Sequence, residues 1–259
     1  MRRIHLFTPG GERAQQVKAR LTRMLQAAGR ELVDEPQGPD DLVISLGGDG
    51  TFLEALRRYR RVDPVFCGIN TGNLGFLQEI ESDDLVPAVE RILQGDFTVS
   101  HHKLLAVDPP GGEAFNDVVV ERSDTRTLQM VLYVDGQALG LLVADGLLVA
   151  TPVGSTGYAV AAGGAVVHPG CDVLQVLPIN PHPSRLTRTP TAPLIIPGDA
   201  VVEVEIDWHR RRLPRLVIDG AEAAIEPGSK LRIRRSDRSV RLLRLGLTGF
   251  WERIRTKLG

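Results

Sequence analysis

The sequence predicts an α/β domain followed by a β-rich domain. Up to residue 96, strand-like and helix-like segments alternate, which is typical of a parallel sheet flanked by helices. From residue 97 to 245, short β-rich runs follow one another, which indicates a mostly antiparallel domain. The last segment, 246–259, contains an amphipathic helix that we expect to pack back on the first domain. The predicted domains are therefore 1–96 and 97–245, with 246–259 returning to the first.

In the first domain, apolar runs of strand length alternate with segments whose apolar residues recur at helical spacing. The predicted strands are Ile4–Phe7, Asp41–Leu46 and Pro64–Ile69, and the predicted helices are Glu12–Ala28, Phe52–Arg60 and Asp83–Gln94.

In the second domain, strands are predicted wherever a β-rich run is bounded by turn residues. Asp135-Gly136 between two of these runs is a hairpin signal. The predicted strands are Thr98–Val107, Ala114–Glu121, Leu128–Val134, Leu139–Val143, Leu147–Ala150, Val201–Ile206, Arg215–Ile218, Leu231–Arg235 and Val240–Leu245, and the terminal helix is predicted over Thr248–Leu258.

Composition limits the classes of function. The chain has 259 residues and a formal net charge of −1, which argues against a nucleic-acid binder or an anchor on an acidic membrane. The longest apolar stretch, Ala138–Ala150, is too short to span a bilayer. The two cysteines, Cys67 and Cys171, have neither metal-type spacing nor the pattern of a disulfide framework. We therefore expect a cytoplasmic protein.

The run Leu46-Gly47-Gly48-Asp49-Gly50-Thr51 stands between a predicted buried strand and a predicted helix. Its glycines would let a polyphosphate approach the backbone, where free N–H groups and the positive end of the helix favour anions. A carboxylate beside phosphates suggests that Asp49 is a base or a metal orienter for phosphoryl transfer. A tight turn with a local hydrogen bond from Asp49 is the alternative.

A second glycine-rich loop, Asn70–Leu77, follows the next predicted strand. Parallel strands end at one edge of their sheet, so the two loops could form opposite walls of one cleft. A pair of ordinary turns is the alternative reading.

Two polar sites are predicted in the second domain. Asn116 and Asp117 precede a strongly apolar strand, where an amide could read a base and a carboxylate could accept from sugar hydroxyls; a strand-entry turn is the alternative. The run from Asp145 to Tyr158 joins an apolar strand to a hydroxyl-bearing Pro/Gly turn. In that run Asp145-Gly146 could instead be a hairpin turn.

Within the same run, Ser155 and Thr156 could cap a small-residue helix, and Tyr158 could stack on a flat ring. If Asp145 is buried, it requires a partner.

These four segments, in this order, resemble the NAD kinase family. That family shows Gly-Gly-Asp-Gly-Thr, Asn-Thr-Gly-x-Leu-Gly-Phe, an Asn-Glu or Asn-Asp pair, and Asp-Gly…Thr-Pro-x-Gly-Ser-Thr-Ala-Tyr followed by Gly-Gly and His-Pro. The last run corresponds here to Gly163–Pro169, and the resemblance covers roughly residues 41–182. It implies a phosphofructokinase-like α/β domain, a β-rich domain and a homodimer or homotetramer.

The resemblance also implies roles for individual residues. Asp49 matches the catalytic aspartate, and Phe76 matches an aromatic residue near the adenine. The remaining matches fall in the nucleotide and NAD sites: Gly48, Gly50, Thr51, Asn116, Asp117, Asp145, Thr156, Gly157, Tyr158 and Ala161. The implied reaction moves a phosphoryl group from ATP or another polyphosphate donor to the adenosine ribose 2′-hydroxyl of NAD. Mg²⁺ is expected to be carried by the donor phosphates, with no protein metal site.

Three positions depart from the usual family pattern. Asp117 stands where many members have Glu, Gly157 where Ala is usual, and Ala221 where a Gln follows Asp-Gly. These differences bear on affinity and on the choice between NAD and NADH. The alternative functions are a lipid kinase of the diacylglycerol-kinase type, which shares the first motif, and a non-catalytic NAD-binding sensor.

Overall fold

The computed structural model describes residues 3–72, 75–182, 191–207, 214–226 and 228–258. By contacts within the chain, it forms two compact units, the first made of Met1–His102 with Val240–Gly259 and the second of Lys103–Ser239. The two points where the chain leaves one unit and enters the other fall within two long strands, Thr98–Asp108 and Lys230–Arg244. The predicted boundaries at 96/97 and 245/246 stay predictions.

The first unit is the predicted α/β arrangement. Its elements are β1 (Arg3–Phe7), α1 (Glu12–Ala27), β2 (Glu31–Leu32), β3 (Leu42–Gly47), α2 (Asp49–Tyr59), β4 (Val65–Asn70), β5 (Ile80–Glu81), α3 (Leu85–Gln94) and α5 (Phe250–Leu258). Strands β2, β1, β3 and β4 lie side by side in that order, all parallel, and β5 pairs with the end of β4. Arg241 and Leu242, from the long strand β16 (Lys230–Arg244), add a further parallel neighbour to β4.

Continuous apolar runs explain this sheet. Five of the six residues of β3 and all six of β4 are buried, as expected for parallel strands covered on both faces. Leu21 and Leu25 of α1 and Val89 of α3 belong to the same apolar core as these strands. The core fixes the carboxyl ends of β3 and β4, where both glycine-rich loops begin.

The second unit is antiparallel, as predicted. Its elements are β6 (Thr98–Asp108), β7 (Gly112–Ala114), β8 (Asp117–Arg122), β9 (Leu128–Val134), β10 (Gln137–Ala150), α4 (Tyr158–Ala161), β11 (Val173–Pro181), β12 (Leu194–Pro197), β13 (Val202–Ile206), β14 (Pro214–Ile218), β15 (Ala221–Ala223) and β16 (Lys230–Arg244). The strands lie in the order β15, β14, β8, β10, β9, β13 and β16, with β11 pairing to β10 and to β12.

The strands differ from the prediction in three ways. Strands β10 and β16 are each continuous where two separate runs are predicted, and β11 and β12 lie in a segment for which no strand is predicted. The short strands β2, β5 and β15 are not predicted either. The hairpin alternative for Asp145-Gly146 is wrong, since both residues lie inside β10. Gly146 is needed there because a Cβ atom would lie 2.6 Å from the carbonyl oxygen of Val120 on β8. Within the described residues, the helices are each too short or too polar to cross a membrane.

Candidate active site

Asp49 is the first residue of α2, which begins three residues before the predicted helix. Gly48 precedes it in an extended conformation at the N-cap position. A Cβ atom added to Gly48 or Gly50 would meet nothing within 4 Å, so the backbone on both sides of Asp49 is open to a ligand. The helix N-terminus therefore combines an exposed backbone with a carboxylate.

The second glycine-rich loop lies directly against this carboxylate. The backbone N–H of Phe76 donates to Asp49 Oδ2 at 2.8 Å, and that of Leu77 donates to Oδ1 at 3.0 Å. A Cβ atom on Gly75 would lie 2.6 Å from Asp49 Oδ1, which explains the glycine. The two loops are bonded to each other through this carboxylate, and the predicted cleft between them stays a prediction. The local-turn alternative for Asp49 is wrong, because its carboxylate accepts from the other loop.

Charged residues outside the sequence motifs hold the far end of this loop. The buried Glu79 carboxylate accepts from the backbone N–H groups of Leu245 and Gly246, at 2.9 and 3.0 Å. Its other oxygen accepts from Arg244 at 3.1 Å and from Arg253 of α5 at 2.9 Å. The terminal helix thus fixes the loop that supports Asp49.

Lys257 makes a second set of contacts between the same helix and this region. Its ammonium lies 3.9 Å from Glu81 Oε1 and 5.5 Å from the centre of the Phe76 ring. Burial lowers the pKa of Lys257, while the charges of Glu81 and Asp49 act in the opposite direction. Phe76 therefore has a cation against its ring and its backbone bonded to Asp49.

In the second unit, Asn116 and Asp117 enter β8 beside the turn between β14 and β15. Asp117 is only 6% exposed, and Asp219 of that turn is 7% exposed. Burial, with the negative charge of Asp219 adding to it, raises the pKa of Asp117 to about 7. The side-chain oxygen of Asn116 is buried and has no hydrogen-bond partner among the described residues.

Asp145 has the partners that its position requires. Its Oδ1 lies 2.9 Å from Arg122 Nε, and its Oδ2 accepts from the side-chain amide of Asn180 at 2.9 Å. His182 lies 3.8 Å away. A charged residue within an apolar strand is therefore stabilised from β8 and from the end of β11.

The hydroxyl-bearing turn packs against Asn116. Gly154 is pressed so closely onto this residue that a Cβ atom would lie 2.1 Å from the Asn116 carbonyl oxygen. Gly157, with φ −94°, is the N-cap residue of the short helix α4. The predicted cap is wrong, because the Ser155 hydroxyl accepts from the Val167 N–H and the Thr156 hydroxyl donates to the Val153 carbonyl. Tyr158 is 42% exposed at the start of α4 and Ala161 ends it.

Two family profiles match the chain: the ATP-NAD kinase N-terminal domain over residues 12–97 and the ATP-NAD kinase C-terminal domain over residues 115–245. The chain belongs to the NAD kinase family. The NAD kinase of Geotalea daltonii is 36% identical over 227 residues, which cover 84% of this chain and 78% of that protein. The NAD kinase of Pseudomonas paraeruginosa is 35% identical over 244 residues, covering 91% and 80%.

Solved structures agree with the fold. The crystal structure of an NAD kinase from Archaeoglobus fulgidus in complex with ATP has a TM-score of 0.81 and 25% identity, and covers all of this chain and 98% of that one. Yeast NADH kinase complexed with NADH has a TM-score of 0.85 at 20% identity and covers all of this chain and 88% of that one, which shows the shared fold. The predicted activity, NAD kinase, is confirmed by the two family profiles and by the Geotalea and Pseudomonas relatives.

Mg²⁺ prefers oxygen ligands and usually binds through one or two carboxylates together with substrate phosphates. The chemistry of the NAD kinase site fits that mode. Each Asp49 oxygen accepts a single backbone N–H in the described structure, which leaves lone pairs on both. Among the described residues, no cluster of three or more His, Cys, Asp or Glu could hold a metal by itself. A cation carried by the donor phosphates would find available lone pairs on the Asp49 carboxylate.

The raised pKa of Asp117 predicts an effect of pH on stability. Its value of about 7 in the folded protein exceeds the ordinary 3.8, so the native state binds more protons and its stability falls as pH rises from about 4 through 7. Because one pKa unit corresponds to about 1.4 kcal/mol, the rise of the pKa from 3.8 to about 7 should cost about 4 kcal/mol at pH 8. Asp117→Asn should therefore be more stable than the wild type at pH 8, with a smaller difference at pH 5.

Urea unfolding of both proteins at pH 5, 6, 7 and 8 measures this effect. The difference between the two curves reports on Asp117 together with the groups whose charges couple to it, among them Asp219 and Tyr158. Parallel pH dependences for the two proteins would contradict the prediction.

Proposed function

We propose that this NAD kinase transfers the terminal phosphoryl group of ATP to the adenosine ribose 2′-hydroxyl of NAD, with Asp49 as the general base. The observation that carries the proposal is the position of Asp49. Its carboxylate is fixed by two backbone N–H groups at the start of α2, where the backbone of Gly48 and Gly50 is open. A helix N-terminus of this kind favours phosphate groups.

In this reaction the 2′-oxygen forms a bond to the terminal phosphorus, and the bond from that phosphorus to the bridging oxygen of ATP breaks. The hydroxyl proton goes to Asp49, and the bond electrons leave with ADP. A divalent cation on the donor, expected to be Mg²⁺, would supply charge neutralisation for the phosphates. The N–H groups at the start of α2, around Gly50 and Thr51, stabilise the charge that develops on the moving phosphoryl group.

NAD is proposed to bind through the residues that match the family motifs. The buried, unpaired oxygen of Asn116 supports this role, because such atoms are rare in native proteins unless a ligand or water completes them. The exposed ring of Tyr158 can stack on a flat ligand. The residues proposed to contact NAD are Phe76, Asn116, Asp117, Asp145, Thr156, Gly157, Tyr158 and Ala161.

ATP is the proposed donor because the Archaeoglobus relative was solved with ATP. The test is a donor panel of ATP, GTP and inorganic polyphosphate, each with NAD and Mg²⁺, with NADP measured as product. We expect NADP formation with ATP, and none when NAD or the donor is omitted. Binding of NAD without turnover on any donor would favour the sensor alternative. A homodimer or homotetramer in the cytoplasm remains part of the proposal, and light scattering measures the assembly.

A further inference from the structure

The carboxylate of Asp219 accepts hydrogen bonds from three consecutive backbone N–H groups. Its Oδ2 accepts from Phe115 at 2.7 Å, and its Oδ1 accepts from Asn116 at 2.7 Å and from Asp117 at 3.3 Å. Successive N–H groups that converge in this way form an anion-binding concavity. In this protein the anion is a side chain of the protein itself.

The turn that carries Asp219 presents the carboxylate to these groups. Asp219 and Gly220 have φ of 48° and 74°, and they join β14 to β15 as a two-residue hairpin turn. The N–H of Asp219 also donates to the carbonyl of Asp117 at 3.1 Å. The turn is therefore bonded to the entry of β8 through both its backbone and its side chain.

The opposite side of the same segment is held by Thr151. Its backbone N–H donates to the Asn116 carbonyl at 2.9 Å, and its hydroxyl donates to the Phe115 carbonyl at 2.7 Å. Asp219 thus binds the N–H groups of residues 115–117, and Thr151 binds two of the carbonyls. The backbone that carries the side chains of Asn116 and Asp117 is fixed from two directions.

We propose that Asp219 is a positioning residue for NAD, which holds the backbone of Asn116 and Asp117 in the conformation that binds the dinucleotide. This inference rests on the proposed function, in which those two residues contact NAD. A binding segment that is ordered in advance loses less conformational freedom when the ligand arrives. Removing the Asp219 carboxylate should therefore weaken NAD binding and leave donor binding nearly unchanged.

The experiment uses Asp219→Asn and Asp219→Glu. An Asn presents one accepting oxygen and one N–H₂ group, which would face a backbone N–H, whereas a Glu keeps the charge but displaces it by one methylene. For each variant the Kd for NAD is measured by calorimetry, together with KM for NAD, KM for ATP and the melting temperature. We expect both variants to bind NAD at least tenfold more weakly, with KM for ATP changed less than twofold.

A matched control exists in the other Asp-Gly hairpin. Asp135 and Gly136 have φ of 50° and 75°, and Asp135 Oδ1 accepts from the N–H of Val201 at 2.8 Å. Asp135→Ala removes this side-chain acceptor from the same kind of turn. It should lower the melting temperature without changing the Kd for NAD.

Asn116→Ala, alone and combined with Asp219→Asn, separates this inference from the proposed function. If Asp219 acts through its neighbours, the double variant loses less affinity than the product of the two single losses. An unchanged Kd in Asn116→Ala would overturn the proposed NAD site and this role of Asp219 with it. Weakened binding in Asn116→Ala, with wild-type Kd in both Asp219 variants or equal losses for NAD and ATP, would overturn the role of Asp219 alone.

Discussion

Asp49→Asn is expected to lower kcat by about 10²–10⁴-fold while the Kd for NAD stays within a few-fold of the wild type. The amide keeps the size of the side chain but cannot accept the proton of the 2′-hydroxyl. The substitution also has a structural cost. The Asn side chain can accept from only one of the two N–H groups of Phe76 and Leu77, so we expect a loss of about 1–3 kcal/mol in the free energy of unfolding.

Asp41→Asn separates these two effects. Asp41 is a buried aspartate of the first unit. Like that of Asp49, its carboxylate accepts two backbone N–H groups, here from Gln37 at 2.6 Å and Gly38 at 3.2 Å, and it also pairs with Arg3 at 2.8 Å. Its substitution should reduce stability and leave kcat unchanged well below the melting temperature. The test measures kcat and the free energy of unfolding in urea for the wild type, Asp49→Asn and Asp41→Asn. If Asp49→Asn retained near wild-type kcat, or if Asp41→Asn lost as much, Asp49 would be a structural residue only.

The sequence predicts that the two glycine-rich loops lie at one edge of the sheet, because each follows a buried strand of the same parallel sheet. The hydrogen bonds between them, through Asp49, are not part of that prediction. The sequence places the start of α2 too late, since apolar periodicity begins at Phe52 and the residues before it carry no helical pattern. Gly146 interrupts the apolar pattern of β10, so the sequence predicts two strands there. The glycine is needed because the backbone of Val120 on the neighbouring strand lies close to it, and this contact cannot be read from the local sequence.

The supporting residues of the site are the part that sequence reasoning misses. Asp219 lies 103 positions from Asn116, and Asp219-Gly220 alone indicates only a turn. Glu79 lies 174 positions from Arg253 and belongs to no motif. Motif patterns locate the candidate substrate-binding residues. The side chains that hold those residues in place are brought to them by strand pairing and helix packing, between positions far apart in the sequence.

Glu79→Gln is expected to lower the free energy of unfolding by about 3–5 kcal/mol. The Glu79 side chain is 2% exposed, and it faces the guanidinium groups of Arg244 and Arg253, whose side chains are 24% and 14% exposed. Burial lowers the pKa of Arg244, and the charge of Glu79 opposes that shift. A neutral amide leaves two largely buried cations without their counter-charge and turns N–H₂ donors toward them.

The exposed ion pair of Arg91 and Asp96 provides the comparison for Glu79→Gln. Their charged atoms are 2.6 Å apart, but the side chains are 33% and 62% exposed, so Asp96→Asn should cost less than about 1 kcal/mol. Urea unfolding at pH 7 gives both values. Because Glu79 fixes the loop whose N–H groups hold Asp49, Glu79→Gln should also reduce kcat at temperatures where the protein remains folded. Equal and small losses of stability in the two variants would show that the arginines find other counter-charges, and that the terminal helix does not depend on Glu79 to hold the loop.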